Sequence, residues 1–317
     1  MSRQMTIGAA QLGPIARAES RSAVVARMIE LMREAKASGC DLVAYPELCL
    51  TTFFPRWWFD DKQNEIDTFF EKSMPSNETA PLFETARELG LFFTFGFAEL
   101  TEEEGRTRHF NTSIIVNPKG ETVLKYRKVH LPGHAEHEPW RSFQHLEKRY
   151  FEVGNLGFPV TRTGDVNMGM CICNDRRWPE TYRVMGLQDV ELVLLGYNTP
   201  IHNPPAPQHD ALSNFHNQLV MQSGAYQNGT YVVGVAKCGV EEGVMQIGQS
   251  QIVAPSGETV AMAHTLEDEL IVAHCDFDLC ASYKKTIFNF DAHRRTEAYG
   301  LITERTGAIA PATAGGN

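Results

Sequence analysis

Ser113-Ile-Ile-Val-Asn-Pro-Lys-Gly-Glu-Thr-Val123 reads as a β-hairpin, two β-rich runs around a Pro-x-Gly turn. The chain repeats it 137 residues later. Ser250-Gln-Ile-Val-Ala-Pro-Ser-Gly-Glu-Thr-Val260 matches at eight of eleven positions. Hairpins share turn chemistry, but eight identities exceed what a turn demands. A repeat at nearly half the 317-residue length predicts two similar halves.

Outward from the first hairpin, strands and helices alternate. Residues 5–12 form a strand-length run, and Ser20 caps a helix with Val24, Met28, Leu31, Met32 and Ala35 on one face. Gly39 falls just past its end. Leu42-Val43-Ala44-Tyr45 is short and apolar enough for a buried strand. A helix over 79–89 with Pro81 in its first turn precedes a strand over 91–98. In the second half, strands are expected at 166–171 and 190–195, with helices over 178–187 and 209–227. Strand–helix–strand units in two repeated halves predict an α/β fold, a four-layer αββα sandwich with an internal pseudo-two-fold repeat. No Pro/Gly/Ser linker parts the halves, so 1–304 is read as one domain. The small-residue-rich stretch 305–317 is expected to be a mobile tail.

Composition narrows the function. Hydrophobic residues at 43% and charged residues at 21% are globular values. The balance of 29 Lys+Arg against 39 Asp+Glu gives −10, which disfavours wrapping nucleic acid or lying on an anionic membrane. No apolar run reaches spanning length, and Met-Ser-Arg-Gln-Met-Thr-Ile-Gly lacks the build of a secretion signal. Seven cysteines, an odd number spread over a long chain, point to a reducing cytoplasm rather than a disulfide framework.

Three segments set an ionisable side chain at the end of an apolar strand, where α/β proteins place their sites. They are Tyr45-Pro46-Glu47, Lys125-Tyr126-Arg127-Lys128-Val129-His130 and Met170-Cys171-Ile172-Cys173-Asn174-Asp175-Arg176-Arg177. A cysteine at a strand-to-helix corner has backbone N–H groups aimed at it, able to hold an oxyanion. A thiol nucleophile needs a base, which a carboxylate supplies in a dry site, and a lysine steadies the charge that develops. Taken singly, each residue has a plainer and commoner reading: Glu47 a cap, Lys128 a surface charge, Cys173 a small core residue.

Cys171 shares a strand face with Cys173 and is the rival nucleophile; only Cys173 stands at the corner. The pair also admits a thiol redox protein. Cys-Ile-Cys lacks the paired spacing of a zinc ribbon, so no metal and no cofactor is expected. Arg176 and Arg177 suit a carboxylate-bearing ligand, since guanidinium grips carboxylate bidentately; otherwise the two diverge and one bridges elements. Phe53-Phe54-Pro55-Arg56-Trp57-Trp58-Phe59 is read either as a pocket wall or as a subunit contact.

Together, Glu47, Lys128 and Cys173 in these contexts resemble the nitrilase superfamily, the carbon–nitrogen hydrolases with a Glu-Lys-Cys triad. Within it, Leu50-Thr-Thr-Phe-Phe-Pro-Arg-Trp57, Gln144-His-Leu-Glu-Lys-Arg-Tyr-Phe151, Cys173-Asn-Asp-Arg-Arg-Trp-Pro-Glu180 and Gly196-Tyr-Asn-Thr-Pro200 look like N-carbamoyl-D-amino-acid amidohydrolases. The resemblance implies a small carboxylate-bearing ureido substrate, cleaved to D-amino acid, ammonia and carbon dioxide through a thioester on Cys173. It implies Glu47 as base, Lys128 and the Asn174 N–H as oxyanion donors, and Glu147 orienting lysine and water. It further implies a carboxylate clamp of Arg176 above all, with Arg177, His145, Asn198 and Thr199, and His130 supporting from behind. A homo-dimer or homo-tetramer is implied as well. Another ureido or amide hydrolase, such as one for β-ureido acids, remains a neighbouring reading. A simple nitrile offers no carboxylate to the arginine pair, and a non-catalytic scaffold would lack a triad residue.

Overall fold

In the computed structural model, which describes residues 3–60 and 63–314, two six-stranded sheets form, one built mainly from each half. The first half runs β1 (Gln4–Gln11), α1 (Arg21–Ala37), β2 (Leu42–Ala44), α2 (Gln63–Asp67), α3 (Ala80–Leu89), β3 (Phe92–Glu103), β4 (Arg106–Val116) and β5 (Thr122–Arg127). The second runs α4 (Glu147–Tyr150), β6 (Val160–Thr163), β7 (Val166–Ile172), α5 (Pro179–Gly186), β8 (Leu192–Tyr197), α6 (Ser213–Asn228) and β9 (Tyr231–Ala236). A side hairpin, β10 (Cys238–Glu241) and β11 (Val244–Ile247), precedes β12 (Gln251–Val253), β13 (Thr259–Met262), β14 (Glu269–Asp276) and α7 (Asp278–Lys285).

The sheets are ordered β14-β1-β2-β3-β4-β5 and β6-β7-β8-β9-β12-β13. Read in that order, both pair antiparallel, parallel, parallel, antiparallel, antiparallel. The repeated sequences are the terminal hairpin of each sheet. Their registers break at matching places, between Ile115 and Val116 and between Ile252 and Val253. Their turn glycines, Gly120 and Gly257, adopt left-handed φ values of 81° and 85°, which side chains avoid. The expected two-fold repeat is present. β14 alone crosses over, leaving the second half to close the first sheet.

Residue alternation sorts the layers. Ile7, Ala9, Leu42, Ala44 and Ile115 pack with the second sheet in one cluster. Ala10, Val43, Ile114 and Val116, their neighbours in sequence, turn outward onto α1 and α3. Ser20 caps α1 by accepting the Ala23 N–H, and Val24, Met28, Leu31, Met32 and Ala35 form its buried face. Tyr182 and Met185 of α5 and Met221 and Ala225 of α6 cover the far side of the second sheet. The order is helices, sheet, sheet, helices.

Three expectations shift. The strand placed at 190–195 lies at Leu192–Tyr197, because Val190 still closes α5 by donating to the Met185 carbonyl. The helix placed at 209–227 begins only at Ser213; Pro207–Leu212 form a 3-10 turn in a proline-rich approach where backbone donors are missing. The aromatic run is chiefly core. Phe53, Phe54 and Phe59 are buried, Phe54 stacks on Phe69 at 4.8 Å, and Arg56 is enclosed with Glu241 and Lys237.

Residues 305–314 form no helix or strand and lie exposed; the last three residues of the expected tail fall outside the described residues. Among the described residues no helix is long and apolar enough to cross a membrane. All seven cysteines are free and buried. Burial pushes the thiols of Cys49, Cys238, Cys275 and Cys280 up to about 12. In the unfolded chain they ionise near 8.5. Their contribution is therefore intact below that pH and lost as pH rises toward 12, at roughly 1.4 kcal/mol per thiol per pH unit. Melting temperatures measured from pH 7 to 10.5 are expected to fall steeply above pH 9; a flat profile would contradict the raised values.

Candidate active site

Glu47, Lys128 and Cys173 follow β2, β5 and β7, at the ends of strands from both sheets. Their meeting depends on two glycines. A methyl group on Gly196 would stand 2.4 Å from the Glu47 nitrogen, and one on Gly96 would stand 2.8 Å from its Cα. With only hydrogen there, the Pro46-Glu47 backbone threads between β3 and β8.

Lys128 Nζ donates to Glu47 Oε1 at 2.7 Å and to Glu147 Oε2 at 2.6 Å, and all three side chains are fully buried. Asn111 Nδ2 donates to Glu47 Oε1 at 2.7 Å and reaches Glu147 Oε2 at 3.4 Å. The Asn198 N–H donates to Glu47 Oε2 at 2.9 Å. Burial alone would lower the lysine pKa, but Cys173, Glu147 and Glu47 outweigh it and hold the ammonium charged. Burial alone would raise Glu147, but the Lys128 charge and the His145 hydrogen bond bring it below the usual carboxylate range. Two carboxylates thus share one cation in a dry site.

Cys173 opens a five-residue 3-10 turn, Cys173–Arg177, with a left-handed φ of 49°. A side chain there costs about 1–3 kcal/mol, and the turn supplies the restraint. Asp175 Oδ2 accepts the Ile172 N–H before the cysteine at 2.9 Å, and Arg176 Nη1 donates to the Cys173 carbonyl behind it at 2.6 Å. The thiol donates to the Asn198 carbonyl at 3.6 Å. Burial first, then the Glu47 charge, pushes the thiol pKa up, against the pull of Lys128 and Arg176. At neutral pH the group is a thiol that needs a base. The N–H groups opening the turn have no acceptor within it, and a developing oxyanion can take one.

A cavity of about 450 Å³ opens onto Cys173. Its ionisable lining is Arg141, Arg177, His145, His202, His209 and His216, with no aspartate or glutamate among the described residues. Arg141 is paired with Glu138. Arg177 has no carboxylate partner among the described residues and donates only to Asn174 Oδ1 at 3.3 Å. The residue is exposed at the cavity mouth. The protein packed around it, then the Arg176 charge, pushes its pKa down to about 10, which leaves it a cation at pH 7.

The expected clamp is rearranged. Arg176, taken as its main contact, is 1% exposed and absent from the cavity wall. It donates to Asn217 Oδ1, Thr199 Oγ1 and the Cys173 carbonyl, and lies 4.5 Å over the Tyr197 ring. It braces the cysteine corner. Arg177, His145, Asn198 and Thr199 do line the cavity. His145 Nε2 lies 3.3 Å from Glu147 Oε1, and Asn198 Nδ2 donates to the Glu47 carbonyl, so neither group is wholly free for a ligand. Asn174 and His130 stand off the wall: Asn174 Nδ2 donates to the His130 carbonyl, and His130 bonds to Asp175. Cys171 is 1% exposed and does not reach the cavity.

Three residues escaped the sequence reading: Asn111, Asp175 and Asn217. Asn111 had a signal, an amide inside the run Phe110-Asn-Thr-Ser-Ile-Ile-Val116. Asn217 had none; its part depends on α6 crossing behind the turn. Among the described residues no group of three or more His, Cys, Asp or Glu is arranged to hold a metal.

The fold and this site define a carbon–nitrogen hydrolase. Residues 4–285 match the carbon-nitrogen hydrolase family model, and the chain belongs to that family. It is 31% identical over 296 residues to the N-carbamoylputrescine amidase of Arabidopsis thaliana, covering 90% of this chain and 91% of that one. It is 29% identical over 270 residues to the nitrilase of Pyrococcus abyssi, covering 85% and 90%. Among solved structures, the carbon-nitrogen hydrolase from Helicobacter pylori G27 superposes with a TM-score of 0.80 at 20% identity, over 95% of this chain and 99% of that one. An amidase from Nesterenkonia sp. superposes with a TM-score of 0.68 at 19% identity, over 93% and 95%.

Proposed function

We propose that this protein hydrolyses N-carbamoyl amino acids of D configuration to the amino acid, ammonia and carbon dioxide. The observation that carries the reading is the cavity's charge. Arg177, a cation with no carboxylate partner among the described residues, faces the space above Cys173, and none of the described carboxylates lines it. In a chain of net charge −10, such a wall suits a substrate carboxylate. The relatives named N-carbamoylputrescine amidase support ureido chemistry. Their named substrate ends in an ammonium, for which this cavity offers two arginines and four histidines. The D configuration is supported by the likeness of 144–151 and 173–180 to D-specific amidohydrolases. A β-ureido acid, which carries the same carboxylate, is the second reading.

In this mechanism Cys173 Sγ bonds to the ureido carbonyl carbon as its proton passes to Glu47. Lys128 and the turn's N–H groups receive the oxyanion. The C–N bond breaks, and Glu47 returns the proton to departing ammonia. Water then attacks the thioester, giving its proton to Glu47 and from there to Cys173, and the released N-carboxy amino acid loses carbon dioxide. The Nesterenkonia amidase carries the acetamide moiety of fluoroacetamide covalently at its active-site cysteine, an alkylation that supports a cysteine nucleophile in this fold.

The test measures ammonia release from N-carbamoyl-D-, L- and β-amino acids and from N-carbamoylputrescine. The D-amino acid derivatives are expected to lead in kcat/KM. Arg177→Gln should raise KM for them roughly tenfold to a hundredfold, the loss of one charge-assisted contact, with kcat little changed. Preference for N-carbamoylputrescine, or an unchanged KM in the variant, would overturn the reading.

A further inference from the structure

Asp175 is fully buried, lies outside the cavity wall, and has no part in the proton path described above. Yet it accepts four hydrogen bonds. Oδ1 takes the His130 N–H at 2.9 Å and lies 2.8 Å from His130 Nδ1. Oδ2 takes the Tyr126 hydroxyl at 2.6 Å and the Ile172 N–H at 2.9 Å. Tyr126 Oη in turn accepts the Val129 N–H at 3.2 Å. These donors belong to two separate pieces of chain. Ile172 immediately precedes Cys173; Tyr126, Val129 and His130 bracket Lys128.

The buried carboxylate therefore joins the nucleophile's corner to the segment that carries the lysine. Lys128 itself touches Glu47 and Glu147, and Cys173 touches Asn198. A relay through Glu47 and Asn198 also connects the two groups, but Asp175 alone, among the described residues bonded here, ties the backbone just before Cys173 directly to the segment that carries Lys128. His130 is the donor that reaches outward. It is a quarter exposed, with its ring stacked on Trp178 at 5.0 Å and on Phe158 at 5.9 Å. That sandwich fixes the ring plane, and with it the direction of Nδ1. We infer that Asp175 and His130 are positioning residues that set Cys173 against Lys128 and thereby govern the reactivity of the thiol. The inference deepens the hydrolase reading of this site, but depends on the triad alone and not on the substrate.

Three variants separate the hydrogen bond from the stacking and from the fold. His130→Phe keeps an aromatic ring between Trp178 and Phe158 but removes the Nδ1 donor. His130→Asn removes the ring but places Nδ2 where Nδ1 stood. Asp175→Asn exchanges one acceptor oxygen for a donor. The probe is iodoacetamide, with Cys173 alkylation followed by mass spectrometry of the full chain and with melting temperature recorded for each variant. Because a misplacement of about 1 Å costs on the order of a hundredfold, alkylation of Cys173 is expected to slow tenfold to a hundredfold in His130→Phe and Asp175→Asn. His130→Asn is expected to recover most of the rate despite lower thermal stability. Wild-type alkylation rates in folded His130→Phe would overturn the inference. So would rates that follow melting temperature across the three variants, the mark of a merely structural role. Alkylation needs no ureido substrate, so a wrong substrate would show as absent ammonia release with the alkylation pattern unchanged.

Discussion

Cys173→Ala is expected to lower hydrolysis by about four orders of magnitude or more, the scale on which removal of a catalytic nucleophile is felt. Cys171→Ala should keep most of the activity. The contrast follows from position. Cys173 stands at the cavity, with its thiol in reach of the Asn198 carbonyl and under the charges of Glu47 and Lys128. Cys171 is enclosed two residues earlier, and burial and Asp175 push its thiol well above the ordinary range. Stability adds a second readout. Alanine inherits the left-handed backbone at 173, so its melting temperature should match wild type. Cys173→Gly removes the conformational penalty and should be more stable by about 1 kcal/mol while equally inactive. Activity in Cys173→Ala, or a glycine variant less stable than the alanine variant, would refute the assignment.

Lys128→Met is expected to remove activity and also to cost about 3–5 kcal/mol of stability. The variant leaves Glu47 and Glu147, both fully buried, without the cation they share. Asn111 remains as a donor to both, but an amide does not balance two charges. The pH dependence should separate variant from wild type. In wild type, Glu147 is held below its ordinary range, so its contribution stands above about pH 4 and is lost as pH falls through the lowered value. Without Lys128, Glu147 is destabilising while ionised, so the variant should gain stability as pH falls from 7 to 5, where wild type stays level. Lys128→Met combined with Glu147→Gln should regain stability at pH 7 and no turnover. Denaturant titrations at pH 5 and 7 decide it; equal stability of Lys128→Met and wild type would sink the charge argument.

The architecture was legible because it rests on repeating patterns. Alternation assigned Ile7 and Ala9 to one face and Ala10 to the other, and the duplicated hairpin announced the second sheet. Strand ends likewise brought Glu47, Lys128 and Cys173 into view. Side-chain direction past a strand end was not legible. Alternation puts Cys171 and Cys173 on one face, but the left-handed turn at Cys173 re-aims everything after it. Arg176 swings inward because α6 offers Asn217 as an acceptor 41 residues away, and Arg177 is left for the cavity. Glu147, beside Lys148 and Arg149, looks like a surface charge until α4 is seen to bury it against Lys128.

The paired halves have a consequence for the history of the molecule. The 137-residue offset carries Lys128 onto Thr265. Equivalent strand registers, Ile7 with Leu42 in the first sheet and Met168 with Leu192 in the second, carry Cys173 onto Leu12 and Glu47 onto Tyr197. A symmetric ancestor would have had two equivalent seats for chemistry. In this chain one seat holds carboxylate, ammonium and thiol; its mirror image is stopped with leucine, phenol and threonine. The division is unequal, with the carboxylate and the lysine carried by one half and the thiol by the other, so neither half alone holds all three groups.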